Sequence, residues 1–83
     1  MLKLMKIEEG FYKAINIVSD HVAFIDVDML GDFRVTVETL TSEGYVGEES
    51  PAFETIEEAA RWIESQDIIM TTNFDGSSLI VGE

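Results

Sequence analysis

Alternating apolar and polar residues identify a strand in the middle of the chain. Over Phe33–Leu40, apolar side chains recur at every second position, which is the period of a half-buried strand. The pattern predicts that Phe33, Val35 and Val37 face a core, and that the polar residues between them face water or a partner.

Two further β-rich runs flank this strand. The run Val22–Asp28 precedes it, and Gly31 with Asp32 is typical of the connecting turn. A second turn over residues 41–44 is followed by a shorter run around Tyr45 and Val46. Together these runs predict three consecutive strands joined by short turns.

The clearest local signal is a helix start at Thr55. The run Thr55-Ile56-Glu57-Glu58 is a capping box, in which the Thr55 hydroxyl and the Glu58 carboxylate each accept from the other residue's backbone N–H. The predicted helix ends by Gln66. Its buried stripe is formed by Ile56, Ala59, Ala60 and Ile63, with Trp62 at the edge.

Both ends of the chain are harder to interpret. Residues 2–18 carry a helical stripe, but Gly10 interrupts it and the run from Phe11 is also rich in β-formers. We expect a short helix or turn there, followed by a strand from about Phe11. Near the other end, Asp75-Gly76 between β-rich runs over 67–74 and 77–81 predicts a hairpin. The fold class is therefore α+β: a single domain over 1–83 with an antiparallel sheet of four to five strands packed by one or two helices.

Charge narrows the classes of function. The 83 residues carry 17 Asp and Glu against 5 Lys and Arg, a net charge of −12. From Asp20 onwards there are 15 acids and only Arg34 and Arg61. This acidity excludes nucleic acid and anionic membranes as direct partners and favours a protein with a basic, nucleic-acid-binding surface. Self-repulsion favours a monomer or a small homo-oligomer, and greater stability as salt rises.

Residues that carry catalytic chemistry are scarce. His21 is the single histidine, and the adjacent Asp20 is expected to be poorly placed for a catalytic dyad. The spacing of Gly44 and Gly47 does not suit a phosphate loop. There is no cysteine, and no run of about 20 apolar residues. We therefore expect a cytoplasmic, soluble, non-enzymatic protein without a cofactor.

Carboxylates and one aromatic residue are the candidate partner-binding residues. The spacing of Asp26, Asp28 and Asp32 permits a weak divalent-cation site, but a solvated acidic face is the preferred interpretation. A second group of acids surrounds the predicted helix start, and Tyr45 in a turn-rich segment is the best exposed aromatic. The full set of candidates is Asp26, Asp28, Asp32, Glu38, Tyr45, Glu48, Glu49, Glu54 and Glu57.

The order of elements from Asp20 to Ser65 resembles that of a known class of small inhibitors. Strand–strand–strand–helix, with Phe53-Glu54-Thr55 at the helix start and Trp62 within the helix, is similar to some type I anti-CRISPR proteins. Size, acidity and mixed α/β content also resemble the phage uracil-DNA glycosylase inhibitor. The resemblance rests on layout, so it implies a class of function and assigns no binding residue.

Two functions follow as hypotheses. The first is a non-catalytic DNA-mimicking inhibitor of a bacterial defence or repair protein, whose carboxylates replace phosphates against arginine and lysine. The alternative is a protein–protein interaction or accessory module that makes contact through a strand edge or Tyr45.

Overall fold

One helix lies on one face of an antiparallel sheet, which confirms the predicted α+β fold. The structure is a computed structural model, and it describes residues 2–70 and 80–81. The elements are β1 (Leu4–Glu8), β2 (Phe11–Ala14), β3 (His21–Val27), β4 (Phe33–Thr41), β5 (Gly44–Glu49), α1 (Ile56–Glu64) and β6 (Ile80–Val81). The order across the sheet is β5-β4-β3-β2-β1-β6, and every neighbouring pair is antiparallel except β1 and β6.

The core lies between α1 and the inner face of the sheet. Strand β4 alternates as predicted: Val35 and Val37 are buried, Phe33 packs against the core from its rim, and Arg34 is exposed. Because β3 pairs with β4 over its whole length, the buried residues of both strands share the inner face. The core consists of Leu2, Leu4, Ala14, Ala23, Ile25, Val35, Val37, Ala59, Ala60, Ile63 and Ile68.

The opposite side of the sheet, here called the outer face, is defined by the alternate residues of the same strands. Its central row runs from Lys13 through Phe24 and Thr36 to Glu49. Phe24 and Phe11 stack on this face with ring centroids 5.5 Å apart. The same face also carries Asp26, Arg34, Glu38, Leu40 and Tyr45.

Helix α1 begins as the capping box predicts. The Glu58 N–H donates to Thr55 Oγ1, and the Thr55 N–H donates to Glu58 Oε1, both at 3.2 Å. Ala59, Ala60 and Ile63 are buried, and Trp62 packs against the core from the edge. The helix ends at Glu64, two residues before the predicted limit.

The N-terminal region departs from the expectation. A strand does begin at Phe11, but the residues before it form strand β1 and not a helix or turn. Gly10 adopts φ +78°, a conformation that glycine tolerates, and so lets the chain reverse between β1 and β2. Leu4 is fully buried on the inner face, whereas Phe11 lies on the outer face, so the apparent helical stripe is coincidental.

Two other regions qualify the predictions. Strand β5 extends beyond the short run expected around Tyr45 and Val46, because its pairing with β4 continues to Glu49. The predicted hairpin around Asn73–Gly76 lies outside the described residues.

Within the described part of the chain, no helix has the length and apolarity needed to cross a bilayer.

Candidate functional site

Three of the predicted site residues come together on the outer face. Glu49 lies directly opposite Thr36, so it is the diagonal neighbour of Glu38, about 7–8 Å away. Asp26 lies opposite Arg34 on the same face. Asp26 and Glu49 are exposed, and Glu38 is half-buried. The pairing of β3, β4 and β5 therefore collects three carboxylates that are distant in the sequence.

The structure separates Glu48 from Glu49. Successive side chains of a strand point to opposite faces, and Glu48 lies opposite the buried Val37. Glu48 thus belongs to the inner side, beyond the part that α1 covers, where it is exposed. Glu48 and Glu49 therefore belong to the same strand but lie on opposite faces of the sheet.

Tyr45 joins the outer face at the other end of β5. It lies opposite Leu40, and the two side chains are 57% and 49% exposed. Such a pair offers apolar contact area and a phenolic hydroxyl at one place on the edge of the sheet. The prediction that Tyr45 is accessible agrees with this position.

The Asp28 side chain stabilises the β3–β4 turn. Its Oδ1 accepts from the N–H groups of Leu30 and Asp32 at 2.9 and 3.0 Å, and its Oδ2 lies 3.3 Å from Arg34 Nε. The hydrogen bond from the Asp32 N–H is the main cause that lowers the pKa of Asp28 below its ordinary 3.8, and Arg34 acts in the same direction. The Asp28 carboxylate is therefore already engaged within the turn.

Asp32 and Glu54 meet at the end of the sheet. Phe33 and Phe53 exchange backbone hydrogen bonds of 2.7 and 2.8 Å in an antiparallel bridge. The residue before Phe33 and the residue after Phe53 therefore lie at the same end of the molecule. Glu57 follows in the first turn of α1 and is exposed. The β3–β4 turn and the helix start thus form one acidic end.

Most of these carboxylates have no side-chain partner in the part of the chain that the structure describes. Among the described residues, the ion pairs are Lys6–Glu9, His21–Asp20 and Arg34–Asp28. No side-chain hydrogen bond or ion pair within the described part of the chain involves Asp26, Asp32, Glu38, Glu48, Glu49, Glu54 or Glu57. The three lysines lie on or beside β1 and β2, and one of them, Lys13, shares the outer face with the carboxylates. Glu48 lies on the inner side of the sheet, and we call the other six the acidic surface.

A catalytic or metal-binding arrangement is not visible in the described residues. Nδ1 of His21 lies 2.7 Å from Oδ1 of Asp20, so these neighbours are in contact, although adjacency in the sequence was expected to place them poorly for a catalytic dyad. A depression of about 260 Å³ is lined by His21 together with Lys13, Ser19 and Val22 among others. Within residues 2–70 and 80–81 no hydroxyl hydrogen-bonds to the His21 ring, and no three His, Asp or Glu residues could hold a metal ion.

Sequence reasoning missed one exposed feature. Met29 and Leu30, at the tip of the β3–β4 turn, are 102% and 86% exposed. The signal that could have indicated them is an apolar pair enclosed by turn-forming residues in Asp28-Met29-Leu30-Gly31-Asp32. We call this pair the apolar tip.

Comparison of the chain with protein-family models, with curated proteins and with solved structures finds no match.

Proposed function

We propose that this protein is a non-catalytic inhibitor that binds the basic, nucleic-acid-binding surface of a bacterial defence or repair protein. The observation that supports this proposal is the acidic surface: six carboxylates, on β3–β5 and on the acidic end beside them, that have no side-chain partner among the described residues. The acids would take the places of phosphates against arginine and lysine on the partner, because charge-assisted hydrogen bonds to carboxylates and to phosphates use the same donors.

The inhibition would be steric and electrostatic. A folded acidic surface attracts the same basic groove that attracts nucleic acid, and it speeds association at low salt. Nucleic acid and the inhibitor would then compete for one site. No bond is made or broken in this mechanism.

The test is capture from a bacterial lysate, followed by affinity measurement on the purified partner. The captured protein is identified by mass spectrometry, and its Kd is measured between about 50 and 200 mM salt, with and without competing duplex and single-stranded DNA. We expect the Kd to rise steeply with salt and DNA to displace the protein. A Kd that is independent of salt and of DNA would refute phosphate mimicry.

A matched pair of variants locates the surface. Glu38→Gln with Glu49→Gln removes two charges from the outer face, and we expect it to weaken binding by at least about tenfold, since hydrogen bonds to charged groups are worth about 1.5–3 kcal/mol each. Glu64→Gln with Asp67→Asn removes the same charge from the end of α1, on the opposite side of the sheet, and should change the Kd little. Equal effects of the two variants would mean that only net charge matters.

A second candidate function has its own supporting observation. The exposed pair Leu40 and Tyr45 suits an interaction module that binds its partner through apolar contact at the edge of the sheet. In that case Tyr45→Ala would weaken binding, whereas the Glu38→Gln/Glu49→Gln variant would bind normally at every salt concentration.

A further inference from the structure

The apolar tip is the most exposed hydrophobic feature of the described residues. Met29 and Leu30 have essentially no contact with the rest of the protein, whereas the other exposed hydrophobic side chains retain part of their burial. Single apolar residues on a surface are ordinary. Two adjacent ones at the end of a turn, with nothing folded against them, are available to enter a cavity on another molecule.

The turn that carries the tip is held in one conformation. Asp28 accepts from the N–H groups of Leu30 and Asp32, and its own N–H donates to the Asp32 carbonyl at 2.9 Å. The Gly31 N–H donates to the Asp28 carbonyl at 3.0 Å, and Gly31 has φ +86°. Because the backbone is already ordered, docking of the tip would lose little additional conformational entropy.

The surroundings of the tip are acidic. Asp28 and Asp32 flank it in the turn, Asp26 precedes it at the end of β3, and Glu54 lies at the same end of the sheet. Arg34 is the nearest cation, and its guanidinium is engaged with Asp28. An apolar pair within a ring of carboxylates is complementary to an apolar pocket with a basic rim.

We propose that the apolar tip docks into an apolar pocket of the partner protein that is bordered by lysine and arginine side chains. The inference rests on the proposed function for the class of partner, and adds an anchor beside the acidic surface. An anionic lipid surface would repel the flanking carboxylates. A second copy of this chain, at net charge −12, would repel them as well. A basic protein satisfies both the apolar pair and its acidic border.

The test combines crosslinking with affinity measurement. A photoreactive diazirine analogue of methionine replaces Met29, and in a control protein it replaces Ile7 in β1, two strands away from β3. Each protein is irradiated in bacterial lysate, and the adducts are identified by mass spectrometry. The identified partner is then purified, and its Kd is measured for the wild type, for Met29→Ser/Leu30→Ser and for Met5→Ser/Ile7→Ser.

We expect the partner to crosslink from position 29 and not from position 7. Removal of the tip should weaken binding by about a hundredfold, at about tenfold for each buried apolar side chain. The Met5→Ser/Ile7→Ser control removes a similar pair, 39% and 48% exposed, and should leave the Kd within about threefold. Circular dichroism and urea unfolding verify that every variant is folded.

The other outcomes overturn the proposal. They are the absence of an adduct from position 29, or a Kd for Met29→Ser/Leu30→Ser that equals the wild-type value. Failure of the proposed function gives a different result: a tip-dependent partner whose binding ignores salt and DNA supports the anchor and refutes phosphate mimicry. A partner that DNA displaces, but whose Kd is the same for Met29→Ser/Leu30→Ser as for the wild type, supports phosphate mimicry and refutes the anchor.

Discussion

Ser50 should be among the most sensitive polar positions in the protein. It is 5% exposed and follows directly after the end of β5. At this point its hydroxyl, and not a backbone carbonyl, accepts the hydrogen bond from β4. The Ser50 Oγ accepts from the Val35 N–H at 2.9 Å and donates to the Pro51 carbonyl at 2.7 Å, while the Ser50 N–H donates to the Val35 carbonyl at 2.9 Å. Beyond Ser50, Phe53 pairs with Phe33. The Ser50 hydroxyl therefore connects the hydrogen bonds between β4 and β5 with the Phe33–Phe53 bridge.

The Ser50→Ala change removes the acceptor and leaves the buried N–H of Val35 without a partner. A buried donor that loses its acceptor lowers the unfolding free energy by about 1–3 kcal/mol, because on folding it loses its hydrogen bonds to water and forms none within the protein. For a domain of this size, each kcal/mol lowers the Tm by about 4–8 °C. We therefore expect a decrease in Tm of at least several degrees.

Urea unfolding measures this cost directly. Far-UV circular dichroism and the fluorescence of Trp62 report the transition, and the midpoint should fall while the m value stays constant. Ser42→Ala makes the same chemical change at an exposed turn residue and should alter the unfolding free energy by less than about 0.5 kcal/mol. If Ser50→Ala and Ser42→Ala had the same midpoint, the Ser50 hydroxyl would not be the acceptor described here.

Three further substitutions probe the core, the helix start and the turn. Ile63→Ala removes a side chain that is 0% exposed and should lower the unfolding free energy by about 2–5 kcal/mol in urea unfolding. Thr55→Ala removes the capping hydroxyl and should cost about 1 kcal/mol in the same assay. Asp28→Asn should reduce the loss of stability on acidification: the lowered pKa of Asp28 stabilises the fold above pH 3.8, and this contribution disappears as the pH falls through the folded-state pKa.

Each of these outcomes has a matched comparison. Thr55→Ser keeps the hydroxyl and should retain most of the stability, so a Ser variant as unstable as the Ala variant would argue against capping. Ile63→Val should cost less than Ile63→Ala, because it leaves a smaller cavity. For Asp28→Asn, the Tm is measured from neutral pH to below pH 3.8, and a curve parallel to that of Asp32→Asn would contradict the role given to Asp28.

The interior of the sheet and the helix start were predictable because their signals are local. The alternation in β4 and the capping box at Thr55 each involve residues within a few positions of one another. The N-terminal strand was not predictable on the same basis. Leu4 and Phe11 fit a helical period, and only the turn at Gly10 and the pairing of β1 with β2 resolve the ambiguity.

The candidate site was predictable in composition but not in arrangement. The acids were named from the sequence, yet Glu48 and Glu49 lie on different faces, and Asp28 is bound within a turn. The apolar tip was not foreseen, since exposure of Met29 and Leu30 depends on which elements pack beside the turn.

An acidic α+β domain, together with the positions of β3, β4 and the start of α1, follows from the order of the residues alone. Periodicity, turn residues and capping act between near neighbours, so they are visible along the chain. Contacts between distant residues set which carboxylates share a surface, which one is paired, and which apolar residues remain outside the core. Those properties depend on strand register and on contacts between distant residues, such as Phe33 with Phe53 and Val35 with Ser50.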